Sequence, residues 1–119
     1  MTAAVPVRWP ARITLDASGE WAARARCRTQ NPDALFVRGP SEQRRAKQIC
    51  SGCPVRFECL AHALDEHIEW GVWGGMTEYE RRRLLRRYPQ TRNWRRILEC
   101  WLNAWLAQAR GQRAAAVNG

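Results

Sequence analysis

Cys27, Cys50, Cys53 and Cys59 are separated by 22, 2 and 5 residues, and they constrain this 119-residue chain more than any other feature. A chain this short builds one hydrophobic core, so thiols drawn from three segments into one place would organise the whole fold. Cys50 and Cys53 flank Ser51-Gly52, where one helix is expected to end. Pro54 suits the first turn of the next helix, which carries Cys59 on its inner face. Cys27 arrives from an earlier helix. Four thiolates from three short helices can enclose a soft metal centre. Zinc and iron–sulfur clusters both accept four thiolates, and the spacing leaves both open. One C-x2-C, rather than two paired knuckles, favours the larger inorganic core.

The compartment bears on the same question. The opening MTAAVPVRWPARITL places prolines and arginines where a signal peptide needs an apolar stretch, and no run of eighteen apolar residues occurs. The expectation is a cytoplasmic protein with no membrane role. Disulfides are disfavoured there, and clustered thiols bind metal or do redox chemistry.

Periodicity and turn signals predict an all-α fold, a small bundle of about four to five short helices organised around the four-cysteine site. Residues 1–20 show no sustained period and read as a flexible tail. The run WAARARCR suits a helix over 21–28, and NPDALFVRGP breaks it. Ser41 is the expected N-cap of a helix ending at Cys50, and a third helix begins at Pro54. Thr77 and Glu80 have the T-x-x-E spacing of a capping box, opening a helix through Arg87 that Pro89 terminates. From about 93 to 109, Trp94, Ile97, Leu98, Trp101, Leu102, Trp105 and Leu106 form a helical stripe. The last residues, GQRAAAVNG, are expected to fray. The domain reading is a tail over 1–20, a cluster-binding unit over 21–88 and a basic helical extension over 89–119.

Charge is unevenly placed. Residues 1–80 hold ten Lys/Arg against ten Asp/Glu, whereas residues 81–119 hold ten Arg against Glu99 alone. A neutral body with a basic C-terminal third suits nucleic acid or another acidic surface, although an arginine-rich solvated helix face would look the same. Seven tryptophans are more than a core this small needs, so some are expected as exposed anchors.

The stretch GVWGG, residues 71–75, surrounds one tryptophan with glycines. It reads either as a helix-to-helix turn with its indole packed inward, or as a loop presenting Trp73 to a partner. Together, Cys27, the C-x2-C-x5-C at Cys50, Cys53 and Cys59, GVWGG and the following arginine-rich helix resemble the WhiB-like family of actinobacterial transcription regulators. The resemblance covers about residues 21–96. LFVRG at 35–39, ALD at 63–65 and GVWGGMTE at 71–78 are similar to the branch linked to stress and development.

That resemblance implies a 4Fe–4S cluster on Cys27, Cys50, Cys53 and Cys59, and binding to domain 4 of the primary sigma factor of RNA polymerase. It implies sigma contact through Gly71, Val72, Trp73, Gly74 and Gly75, and promoter DNA contact through Arg81, Arg82, Arg83, Arg86 and Arg87. It also implies no enzymatic role, and a response to oxygen, nitric oxide or redox state. Two other readings stay open on the residues alone: a zinc-stabilised nucleic-acid-binding protein, and a thiol-disulfide oxidoreductase using Cys50 and Cys53, the latter without the βαβ context such enzymes use. His62, His67 and Cys100 carry only structural or surface readings.

Overall fold

A computed structural model describes residues 12–25 and 32–118. Among them the regular structure is helical: 3-10 turns at Glu20–Arg24 and Pro32–Leu35, then α1 (Pro40–Ser51), α2 (Arg56–Asp65), α3 (Glu78–Arg87) and α4 (Trp94–Asn118). The all-α expectation holds. Its boundaries shift in four places.

The first expected helix, over 21–28, is a single 3-10 turn ending at Arg24, with Ala25 already extended; its cysteine-bearing end lies outside the described residues. Helix α1 starts one residue before Ser41, because Pro40 occupies the first helical position behind an extended Gly39. Pro54 does not open α2. Two backbone turn bonds come first, Cys53 N–H to the Cys50 carbonyl at 3.0 Å and Arg56 N–H to the Cys53 carbonyl at 3.3 Å. Helix α4 runs through the tail expected to fray, since Ala114, Ala115 and Ala116 favour helix and Gly111 costs only part of that gain.

The capping box of α3 forms as expected. Glu80 N–H donates to Thr77 Oγ1 at 3.2 Å, and Thr77 N–H donates to Glu80 Oε1 at 2.9 Å. Helix α4 starts at two side-chain acceptors: Arg96 N–H donates to Asn93 Oδ1 (3.2 Å) and Trp94 N–H to Asp65 Oδ1 at the end of α2 (3.0 Å). These bonds satisfy donors that a helix start leaves without intrahelical partners.

Packing of α4 on α2 makes the main core. Leu60, Ala61 and Leu64 meet Trp94 and Leu98 there, with Phe57, Met76, Leu84 and Leu85 around them. Residues 12–16, within the stretch read as a tail, are bonded to α4. Ile13 exchanges two hydrogen bonds with Asn103 (2.8 and 2.9 Å), Leu15 N–H donates to Glu99 Oε2 (2.9 Å), and the Leu15 side chain enters the core. A second, smaller patch joins Ala46 and Cys50 of α1 to Val72, backed by Leu35 and Val37. It sits under the cysteines.

Candidate metal centre

Cys50 is buried near the end of α1, Cys53 lies in the connecting turn, and Cys59 is on α2 one turn past its start. All three line one cavity of about 180 Å³. The turn between α1 and α2 and the helical spacing of Cys59 bring these thiols to a common wall, as the spacing predicts. Cys27 lies outside the described residues. The chain on either side of its segment, at Ala25 and at Leu35, lines the same cavity.

The rest of the wall is apolar except for Arg56. Ile49, Leu35 and Phe36 close one side, and Val72, Trp73 and Gly74 of the glycine loop close another. Arg56 reaches across, its Nε–H donating to the Gly74 carbonyl at 3.1 Å, and places a guanidinium beside three thiols. Among the described residues no group of three or more His, Cys, Asp or Glu is arranged to hold a single metal ion. The three thiols share a void with room for several waters.

Within the glycine loop, Trp73 and Met76 exchange backbone hydrogen bonds at 3.0 Å in both directions. The two central residues, Gly74 (φ 56) and Gly75 (φ 83), are both left-handed, as a mirror-image type I turn demands. A Cβ on Gly74 would stand 2.5 Å from the Arg56 carbonyl oxygen and from Leu60 Cβ, so the loop lies directly on α2. Trp73 is partly buried, and its indole N–H donates to the Trp70 carbonyl at 2.9 Å. Its ring also faces His62 at 6.2 Å, and His62 faces Trp21 at 5.8 Å. The loop therefore packs inward at Gly71, Val72 and Gly74, and Val72, at 2% exposure, offers no surface to a partner. The outward surface of this region belongs to Trp73 and Gly75, with Trp70 and Phe36 strongly exposed nearby.

The arginine helix needs one correction. Arg82, Arg83, Arg86 and Arg87 are exposed, but Arg81 is only 2% exposed and cannot lie on a DNA-facing surface. Its NH1 donates to the Met76 carbonyl (2.6 Å) and NH2 to the Ile68 carbonyl (3.2 Å), pinning both flanks of the glycine loop. Burial pushes its guanidinium below the ordinary arginine value, while Glu78, Cys59 and Glu80 hold it up. Glu78 also accepts from Gly71 N–H (2.9 Å), and Glu80 pairs with Lys47 of α1 (2.7 Å). The start of α3 is thus bound both to the loop and to the helix that carries Cys50.

Two contributors escaped the sequence reading, Arg56 at the cavity and the Lys47–Glu80 link, and His62, read there only as a structural or surface residue, lies between two indoles. No spacing rule marks Arg56. Glu80 was visible only as a capping residue.

A family model described as Transcription factor WhiB matches residues 21–84, more than half of the chain. The chain belongs to the WhiB family. It is 54% identical over 79 residues to Transcriptional regulator WhiB4 of Mycobacterium tuberculosis strain H37Rv, aligning 66% of each chain. It is 41% identical over 86 residues to Transcriptional regulator WhiB2 of the same strain, covering 72% of this chain and 97% of that relative. Transcriptional regulator WhiB of Streptomyces coelicolor is 44% identical over 64 residues, covering 54% of this chain and 74% of the relative. The match spans just under two thirds of the length of the WhiB4 relatives. The family's model is described as a transcription factor, and these relatives are described as transcriptional regulators. No helix among the described residues is long and apolar enough to cross a membrane.

Proposed function

We propose that this WhiB-family protein is a cytoplasmic regulator whose Cys27, Cys50, Cys53 and Cys59 hold a 4Fe–4S cluster, and that it acts with domain 4 of the primary sigma factor at promoter DNA. The observation that carries this reading is the shared cavity: three of the four thiols and the glycine loop form walls of one apolar void. Cys27 follows Ala25, itself on the cavity wall, by two residues, a span that reaches at most ~7 Å. The donor set suits a cluster. Four thiolates bring negative charge, and Arg56 supplies a compensating cation at the wall. When bound, such a cluster supplies reactivity toward oxygen and nitric oxide, which is the basis of a sensing role.

The protein's own residues supply the coupling. Residues 21–88 form the cluster-binding unit in this reading, and residues 89–119 an extension. Trp73 touches the cavity on one side and solvent on the other, so it is the loop residue suited to both sites. Glu78, Glu80 and Arg81 bind the glycine loop and α1 to the start of α3, whose Arg82, Arg83, Arg86 and Arg87 are free of the core and can grip phosphates.

Anaerobic purification tests the reading. Brown protein with sulfide matching iron, co-purifying with sigma domain 4, supports it. Colourless protein with one zinc, indifferent to air and nitric oxide, would replace it with a zinc-stabilised nucleic-acid-binding protein. Trp73→Ala is expected to weaken sigma binding by at least ~2 kcal/mol while leaving the visible spectrum intact.

A further inference from the structure

The junction of α3 and α4 carries a feature that neither the cysteine site nor the glycine loop uses. The Arg87 guanidinium lies 5.8 Å from the Tyr88 ring, and Tyr88 meets Trp101 at 5.6 Å. Trp101 rests edge-on against buried Trp94 at 6.0 Å, which fixes its ring, yet it remains 41% exposed. Trp105, one turn further along α4 on the same side, is 55% exposed. The result is a strip in which Arg87, Tyr88 and Trp101 are linked in turn and backed by buried Trp94, with Trp105 one turn beyond.

We propose that this strip is a binding surface for single-stranded DNA, with Arg86 and Arg87 on phosphates and Tyr88, Trp101 and Trp105 stacking on unpaired bases. Two observations choose this occupant. The segment that carries the strip is one-sided in charge: across residues 81–119 the sole acid is Glu99, which is already engaged by Leu15 N–H and Arg95. A second copy would set one cationic face against another, whereas a polyanion releases counterions there. The apolar component is aromatic ring surface, which matches the exposed faces of unpaired bases, and duplex DNA hides those faces. The inference extends the DNA reading of α3 and does not depend on the cysteine site.

The test uses the full chain, purified anaerobically, with a fluorescent oligo(dT) of ~16 nucleotides and a duplex of equal length, titrated between about 50 and 200 mM salt. Oligo(dT) is expected to bind more tightly than the duplex and to quench tryptophan emission. Trp105→Ala, at an exposed position, should weaken oligo(dT) binding about tenfold with the salt slope unchanged. Trp101→Phe should retain binding. Arg86→Ala with Arg87→Ala should flatten the slope by roughly 0.7 per lost phosphate contact. The inference is overturned if Trp105→Ala leaves oligo(dT) binding unchanged, if poly-glutamate competes as well as oligo(dT), or if the chain is a dimer that Trp105→Ala dissociates. Duplex binding that depends on the arginines, with oligo(dT) binding absent, would sink the single-strand inference and leave the α3 reading standing.

Discussion

Gly74→Ala is expected to be among the most damaging single-methyl additions to this protein, and the structure separates two reasons. At φ 56 the residue is left-handed, which costs an L-amino acid about 1–2 kcal/mol. The new methyl would also stand 2.5 Å from the Arg56 carbonyl oxygen and Leu60 Cβ, and 2.8 Å from Leu60 N. Two of these neighbours are α2 backbone, which cannot swing aside, so an overpacking cost of about 1–3 kcal/mol adds to the first. The expected loss is about 2–5 kcal/mol, a large part of the ~5–15 kcal/mol typical of a domain.

Gly75→Ala is the internal control. Its φ of 83 carries similar strain, but the nearest atoms that the methyl would meet are those of the Arg56 guanidinium, at 3.0 Å, the far end of a flexible side chain. About 1–2 kcal/mol is expected. Gly111→Ala, in open space within α4, should stabilise by about 0.5–1 kcal/mol. Urea unfolding of anaerobically purified protein, followed by tryptophan emission and far-UV circular dichroism, ranks the three. If Gly74→Ala fell within 0.5 kcal/mol of wild type, or cost less than Gly75→Ala, the close approach of loop to α2 would be wrong.

Three further outcomes follow from named contacts. Arg81→Lys should not rescue Arg81→Ala: one ammonium cannot serve the Met76 and Ile68 carbonyls in the guanidinium's fork geometry, so both variants should melt several degrees below wild type by calorimetry. Asn103→Ala removes both bonds to Ile13 and should cost about 1–2 kcal/mol, read as faster amide exchange at Ile13 and Leu15. Burial acts to raise the Glu80 carboxyl, but hydrogen bonds from Lys47 and from Thr77 N–H outweigh it and hold the group below its ordinary 4.5. Its contribution is therefore present above pH 4.5 and is lost as pH falls through the lower folded value. Lys47→Ala should lose less than about 1 kcal/mol near neutrality, and the melting gap to wild type should close on acidification.

What could be read in advance was local. The capping box at Thr77 announces α3 because both bonds span three residues, and the stripe from Trp94 announces α4 because its period lies within one helix. Arg81 shows where local reading failed. In ERRRLLRR every arginine looks alike, yet Arg81 stands three and four residues before Leu84 and Leu85, on the face that packs inward. That spacing was available as a signal. The clamp of Ile13 on Asn103 was not: it joins residues 90 apart, and neither end has a local pattern. Arg56 at the cavity escaped for the same reason, since its acceptor on Gly74 is supplied by a different element.

The glycine loop resolves the choice between an inward and an outward tryptophan in favour of a shared position. Gly71 N–H is held by Glu78, Val72 N–H by the Leu35 carbonyl at 2.7 Å, the Gly74 carbonyl by Arg56, and the Met76 carbonyl by Arg81. Four of the six residues from 71 to 76 are therefore fixed to three elements: α3 twice, the 3-10 turn that ends at Leu35, and α2. Leu35 and Arg56 both line the cysteine cavity, whereas Glu78 and Arg81 belong to the helix of exposed arginines. The loop has no slack at Gly74, where even a methyl does not fit, so it ties the wall of the cysteine cavity closely to the N-terminal turns of α3.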